Sequence, residues 1–300
     1  MTARVSCVGV AVLDLIYGVE RLPTVDGKIV AHSFTESGGG MAANAAATIT
    51  RLDGEAAWFG RVGDDEAGQR TLSGLAKEGV DVSHVRRVTS GRTSHSIVLV
   101  DRNGERAIVT YGSDALDSDA AWLSIDKVLR SDVVLADTRW ADGAIRALAA
   151  ARRAGLPAVL DGENSGSVEA TRAVGAASHA IFSRPGLAGL LGVDDPEEGL
   201  RRAAKHAPFV AVTLGAEGVA WVDESGELGR LAAVPIVARE TLAAGDVFHG
   251  AFALALAERR DNVSALRFAT AAAAVKCGRT GGRASFPNRV EVEQCLSQMS

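Results

Sequence analysis

The chain has 300 residues, enough for one large α/β domain or two small ones. Apolar residues make up 47 % and charged residues 23 %, the balance of a soluble globular protein with an ample core. A net charge of −5 without any lysine-arginine block argues against a nucleic-acid partner, and no apolar run approaches membrane-spanning length.

Residues 4–12 form a short apolar run ending near Asp14, which reads as a buried strand with a carboxylate at its C-terminal mouth. A second strand is expected over 28–35 and a closely packed helix from Met41 to about Leu52. A strand over 55–61 and a helix over 64–79 follow. Residues 93–100 and 105–111 alternate around Asn103-Gly104, a strong two-residue hairpin signal. Strand and helix then alternate: 132–137 with 142–154, 156–161 with 167–176, and 179–182 with 185–191. A helix near 196–206 precedes strand 209–214, and 219–223 and 230–236 read as another hairpin. Helices near 244–259, 262–277 and 289–298 complete the chain.

This order predicts an α/β fold with a mostly parallel central sheet flanked by helices on both faces. The hairpin and the segment 17–35 interrupt the alternation and predict a small β-sheet over the main one. The expected division is a core of 1–16, 36–92 and 112–300, with a lid of 17–35 and 93–111. Cys7, Cys277 and Cys295 are odd in number and lack CxxC spacing, which points to a reducing, cytoplasmic compartment. The N-terminus lacks a signal-like segment, and the six histidines show no metal-ligand spacing.

The stretch Glu240-Thr241-Leu242-Ala243-Ala244-Gly245-Asp246 is a small-residue turn opening an alanine-rich helix. Free N–H groups and the helix dipole make such a turn an anion site, and Asp246 could accept a proton from a hydroxyl beside a bound phosphate. An ordinary helix cap is the competing reading. Ligands of parallel sheets sit beyond the carboxyl ends of the strands, where Asp14, Asp137 with Arg139, Asp161 and Thr213 are expected. Gly38-Gly39-Gly40 permits close backbone approach, and Asn44 with Asp14 offers the donors and acceptors that vicinal hydroxyls require. A tight turn with a helix cap would use the same residues.

Taken in order with Thr213-Leu214-Gly215-Ala216-Glu217-Gly218, these motifs resemble the ribokinase-like (PfkB) family of sugar kinases along nearly the whole chain. Several stretches resemble the family's bacterial sulfofructose kinases: Cys7-Val8-Gly9, Gly60-Arg61-Val62-Gly63-Asp64-Asp65, Ala136-Asp137-Thr138-Arg139-Trp140, Gly245-Asp246-Val247-Phe248-His249-Gly250 and Gly281-Gly282-Arg283-Ala284. The resemblance implies a lid over the sugar, with Asp14, Gly39, Gly40 and Asn44 contacting it. Asp246 would be the base and the amides of Ala243, Ala244 and Gly245 the anion hole. Thr213, Gly215 and Gly218 would face the nucleotide, as would the loop of Gly281 and Gly282. ATP and Mg²⁺ are the implied cofactors, with a monovalent cation left open, and a homodimer through the lid is the implied assembly. Lys28 and Arg139 match two of three sulfonate-holding residues, while Thr110 stands where the third is an asparagine.

The chain also departs from the family pattern. Glu240 replaces an aspartate and Ala243 a glycine, a cost of about 1 kcal/mol if that position needs φ > 0. Ser183 and Gly186 replace the Asn and Glu of a metal-linked element, leaving Glu163 as a substitute candidate. The expected function is ATP-dependent phosphorylation of the C1 hydroxyl of 6-deoxy-6-sulfofructose, giving the 1-phosphate and ADP in sulfoquinovose degradation. A kinase for another ketose, a sugar phosphate or a nucleoside is the alternative within the enzymes, and a non-catalytic sugar-binding regulator the alternative outside them.

Overall fold

The computed structural model describes residues 2–24, 26–116, 119–163 and 168–299. Its strands are β1 (Arg4–Val8), β2 (Val12–Gly18), β3 (Ser33–Gly39), β4 (Glu55–Phe59), β5 (Arg61–Gly63), β6 (Arg86–Val88) and β7 (His95–Val100). They continue with β8 (Arg106–Tyr111), β9 (Val133–Asp137), β10 (Ala158–Gly162), β11 (His179–Ser183), β12 (Phe209–Thr213), β13 (Val219–Val222) and β14 (Leu228–Leu231). The helices are α1 (Met41–Arg51), α2 (Glu66–Lys77), α3 (Ile125–Val128), α4 (Ala141–Arg153) and α5 (Val168–Ala176). After them come α6 (Arg184–Leu191), α7 (Pro196–Ala203), α8 (Ala244–Ala257), α9 (Asn262–Cys277) and α10 (Arg289–Ser297). Residue 167, the expected first residue of α5, lies outside the described residues.

Eight strands form the main sheet in the order β14-β13-β12-β11-β10-β9-β1-β4. Neighbours from β4 to β12 are parallel, and β13 and β14 close the edge antiparallel. The parallel strands are almost wholly buried apolar runs, as a sheet covered on both faces requires. The expected α/β architecture is therefore present. From β1 the chain crosses to β4 on one side and later to β9 on the other. The ends of β1 and β9 thus flank a topological switch point, where such sheets leave a crevice.

A second sheet of four strands runs β3-β2-β7-β8. Here the strand expected over 4–12 is corrected. It ends at Val8, and Gly9 still donates to Phe59 O, but Leu13 donates to Ser94 O in the small sheet. Asp14 is therefore central in β2, not at the mouth of a core strand. Segments 12–16 and 36–39, expected in the core, likewise pair in the small sheet, and the strand expected over 28–35 begins only at Ser33. The turn at Asn103-Gly104 is also longer than a two-residue loop. Asp101 and Glu105 close it through a 3.0 Å bond with Gly104 at φ 80, a left-handed position that glycine adopts freely.

The small sheet has two chemically distinct faces. Register pairs Asp14 with Ser37 and Ser96, and Ser96 with Thr110, so these polar residues share one face. The other face carries Phe34, Ile97, Val109 and Tyr111, all exposed.

The core helices that reach the site are built of small residues. Ala42 to Ile49 of α1 and Val247 to Ala257 of α8 are buried without interruption. A Cβ at Gly250 would lie 2.6 Å from Ala45 O, so glycine is what lets α8 approach α1. That approach sets the geometry of the site one turn away.

Candidate active site

The α1–α8 contact places the Nδ2 of Asn44 2.6 Å from Oδ2 of Asp246, although 202 residues separate them. Both line a cavity of about 130 Å³ with Asp14, Gly40, Ala243 and Arg283. The segments expected to meet do meet. Burial pushes the Asp246 carboxyl up to about 7; the hydrogen bond from Asn44 opposes this, Glu163 and Asp137 add to it, and Arg283 opposes it. Burial likewise raises Asp14 to about 6, against hydrogen bonding from Ser96 and the charge of Arg283.

The three glycines before α1 each make room for protein, which amends their expected role as a ligand cradle. A Cβ on Gly38 would stand 2.1 Å from Arg283 Nη1, and one on Gly39 2.1 Å from Asp14 Oδ2. A Cβ on Gly40, which sits at φ 90, would stand 2.5 Å from Val10 O. Gly38 and Gly40 still reach the cavity wall.

Ala243 caps α8 at φ 60 and ψ 12, so this position does adopt the left-handed conformation that favours glycine. Ala244 N–H donates to Thr241 O at 3.3 Å and is not free, contrary to its expected place in the anion hole. The amides of Gly245 and Asp246 have no acceptor among the described residues, and a Cβ on Gly245 would meet only open space. The first turn of α8 thus offers two unsatisfied N–H groups beside the carboxyl that could take a proton.

Asp137 is engaged by the backbone. Its side chain accepts from the amides of Val10, Ala42, Arg139 and Trp140, pinning β1, α1 and the turn after β9 at the switch point. A Cβ on Gly9 would stand 2.0 Å from Asp137 Oδ2. Asp161 is also buried, its carboxyl pushed well up by burial, and its Oδ2 lies 3.3 Å from His249 Nδ1.

Arg283 was not foreseen as a site residue. It is 6 % exposed, and its Nε and Nη2 donate to Asn44 Oδ1 at 3.1 and 2.8 Å. It thereby orients the amide that holds Asp246, and burial lowers its guanidinium to about 10. It also borders a second cavity, of about 300 Å³, with Glu36, Arg70 and Lys77. The only sequence signal was an arginine directly after Gly281-Gly282.

The remaining expected residues are dispersed. Gly282, expected on the nucleotide side, lines the same cavity as Asp14, while Gly281 does not. Thr213 ends β12, and Gly215 and Gly218 flank the short turn after it, on the strand-end side of the sheet but outside that cavity. Lys28, Thr110 and Arg139 are exposed and also lie outside it. Thr110 Oγ1 nevertheless sits 3.2 Å from Ser96 Oγ on the Asp14 face.

Among the described residues no group of three or more His, Cys, Asp or Glu could hold a metal ion. Ser183 is committed to capping α6 through Gly186 N–H, and a Cβ on Gly186 would meet Gly162 O at 2.1 Å. The packing of α6 on β10 therefore leaves no room for a glutamate there. Glu163 follows β10 and acts electrostatically on Asp246. These donors fit an ion carried by a nucleotide's phosphates and water, not a protein cage.

The sequence model described as pfkB family carbohydrate kinase matches residues 2–289. An ATP-dependent ribose-1-phosphate kinase of Halopiger xanaduensis is 32 % identical over 298 residues, covering 98 % of each chain. The ribokinase of Bacillus subtilis is 27 % identical over 300 residues, 98 % of this chain and 99 % of that one. The Arabidopsis thaliana ribokinase solved with ribose and ATP superposes with a TM-score of 0.89 at 26 % identity, covering 100 % of both chains.

Proposed function

Since the chain belongs to the pfkB family of carbohydrate kinases, we propose that the cavity between α1, α8 and the small sheet binds a sugar whose hydroxyl receives a phosphoryl group from ATP. The observation that carries this is the Asn44–Asp246 contact, which sets a carboxyl of raised pKa on the wall of a cavity shared with Asp14. Asp14 and Asn44 would bind sugar hydroxyls, and Asp246 would take the proton of the attacking one. The free amides of Gly245 and Asp246 would stabilise charge on the transferred group. Magnesium would supply charge neutralisation on the transferring phosphates, and Glu163 is the carboxylate we assign to holding it. The 213–218 turn is assigned to the nucleotide.

The acceptor we propose is 6-deoxy-6-sulfofructose, giving the 1-phosphate and ADP. Lys28 and Arg139 support it, because no other described residue hydrogen-bonds either side chain and both suit a sulfonate. Thr110 would add a hydroxyl from the Asp14 face. The test is nucleotide consumption with sulfofructose, fructose, ribose and ribose 1-phosphate in parallel. Arg139→Ala is expected to reduce sulfofructose use about tenfold more than fructose use, the scale of one charge-assisted hydrogen bond. Equal losses on both sugars would reject the sulfonate assignment, and no turnover with any sugar would reject the kinase reading.

A further inference from the structure

Lys276 is 0 % exposed, near the end of α9 in a segment otherwise of alanine, valine and cysteine. Its Nζ lies 2.7 Å from Glu240 Oε1, its one hydrogen-bond partner among the described residues. An ammonium so deep persists only when paired, because desolvation costs far more than burial of its stem returns.

The partner carboxylate is itself engaged on several sides. Glu240 Oε1 accepts from Gly282 N–H at 3.3 Å and Oε2 from Gly281 N–H at 3.1 Å. The Glu240 backbone N–H donates to Cys277 O at 3.2 Å. One ion pair thus joins three pieces of the site. They are the end of α9, the loop that carries Arg283 to Asn44, and the turn that leads through Ala243 to Asp246. Two amides offset only part of the charge of the Glu240 carboxylate, whose side chain is 22 % exposed, and Lys276 supplies the full cation that balances it.

We propose that Lys276 is a tethered internal cation: it positions the Asp246 turn and the Arg283 loop through Glu240, and it frees turnover from any requirement for a dissolved monovalent cation. A free ion would have to be drawn from solvent at each folding or closing event, whereas this charge arrives on the chain. The proposal builds on the kinase reading of Asp246, and Lys276 is a positioning residue within it.

The test measures turnover of the whole protein with ATP and its preferred sugar in choline, sodium, potassium and ammonium chlorides of equal ionic strength. The wild type is expected to run at the same rate in all four. Lys276→Ala in choline should fall about a hundredfold, the loss typical of a misplaced catalytic group. Ammonium or potassium, small enough to enter the space vacated by the ammonium head, should restore part of that loss. Lys276→Met, whose stem fills the space, should not respond. Thermal unfolding in the same salts should show Lys276→Ala stabilised by ammonium over choline and the wild type indifferent. Unfolding needs no turnover, so it separates this proposal from the kinase reading. A wild type accelerated by potassium overturns the proposal without any variant being needed. So does Lys276→Ala with full turnover in choline, or a loss that no cation relieves in either rate or unfolding.

Discussion

Ala243 shows how one side chain can oppose the backbone conformation its position adopts. At φ 60 its Cβ is crowded by its own backbone, and the strain is held by the packing of α8 behind it. Ala243→Gly is expected to stabilise the protein by about 1 kcal/mol without loss of turnover, read as a higher denaturant midpoint at constant slope. Asp246 carries the opposite kind of burden, an electrostatic one. Its value of about 7 in the folded state lies above the ordinary 3.8, so the folded state holds the proton more tightly. This group's contribution is therefore fully present below about pH 4 and is lost as pH rises through 7. Asp246→Asn should remove that loss, raising stability at pH 8 relative to pH 4 while abolishing turnover. In the wild type kcat/KM should rise with pH and level off above about 7, with Asp14 near 6 steepening the acid limb. A profile flat from pH 5 to 8 would remove Asp246 as the base.

At the scale of elements, the geometry of the proposed active site depends on how closely two helices approach. Gly250 touches the backbone of α1 one turn beyond Asp246, and Ala45 follows Asn44 directly. Gly250→Ala would force the helices apart or bend them, at about 1–3 kcal/mol for overpacking of this kind. Its signature should be a fall in kcat larger than any change in stability predicts, because the Asn44–Asp246 contact of 2.6 Å widens. Unchanged kcat in a folded Gly250→Ala protein would show that the contact tolerates the shift. Asp137 does complementary work at the start of α1, replacing water for the amides it accepts from and locking β1 to β9 where the strand order reverses.

For the whole molecule, the small sheet is the least self-sufficient part. One face bears the polar ladder Asp14, Ser96 and Thr110, of which Asp14 lines the cavity shared with Asp246, and the other exposes Phe34 (57 %), Val109 (69 %) and Tyr111 (45 %). A four-stranded sheet with one apolar face in water is a surface that seeks cover. We propose that a second copy of the chain covers it, forming a homodimer through the lid. Val109→Asp should then shift the protein to monomer in sedimentation or light scattering and raise the KM for sugar. A wild type that is monomeric at assay concentration would reject the arrangement. No helix among the described residues is long and apolar enough to cross a membrane.

The amino-acid sequence by itself determined the layered α/β architecture, because the apolar strands and amphipathic helices carry their periodicity locally. It also located Asp246, Asn44 and Asp14, whose neighbouring glycines and alanines mark turns and close packing. It did not reveal that Asp14 belongs to the small sheet, since strand 4–12 looks continuous until Gly9 hands the chain from one sheet to the other. Nor did it reveal Arg283 or Lys276. A lone arginine after two glycines and a lone lysine in an alanine-rich helix read locally as solvated charges. Only the tertiary structure buries them, bringing Asn44 and Glu240 from 239 and 36 residues away to hold them. Charge pairing at such separations is decided by which backbones meet, and local sequence carries no record of that.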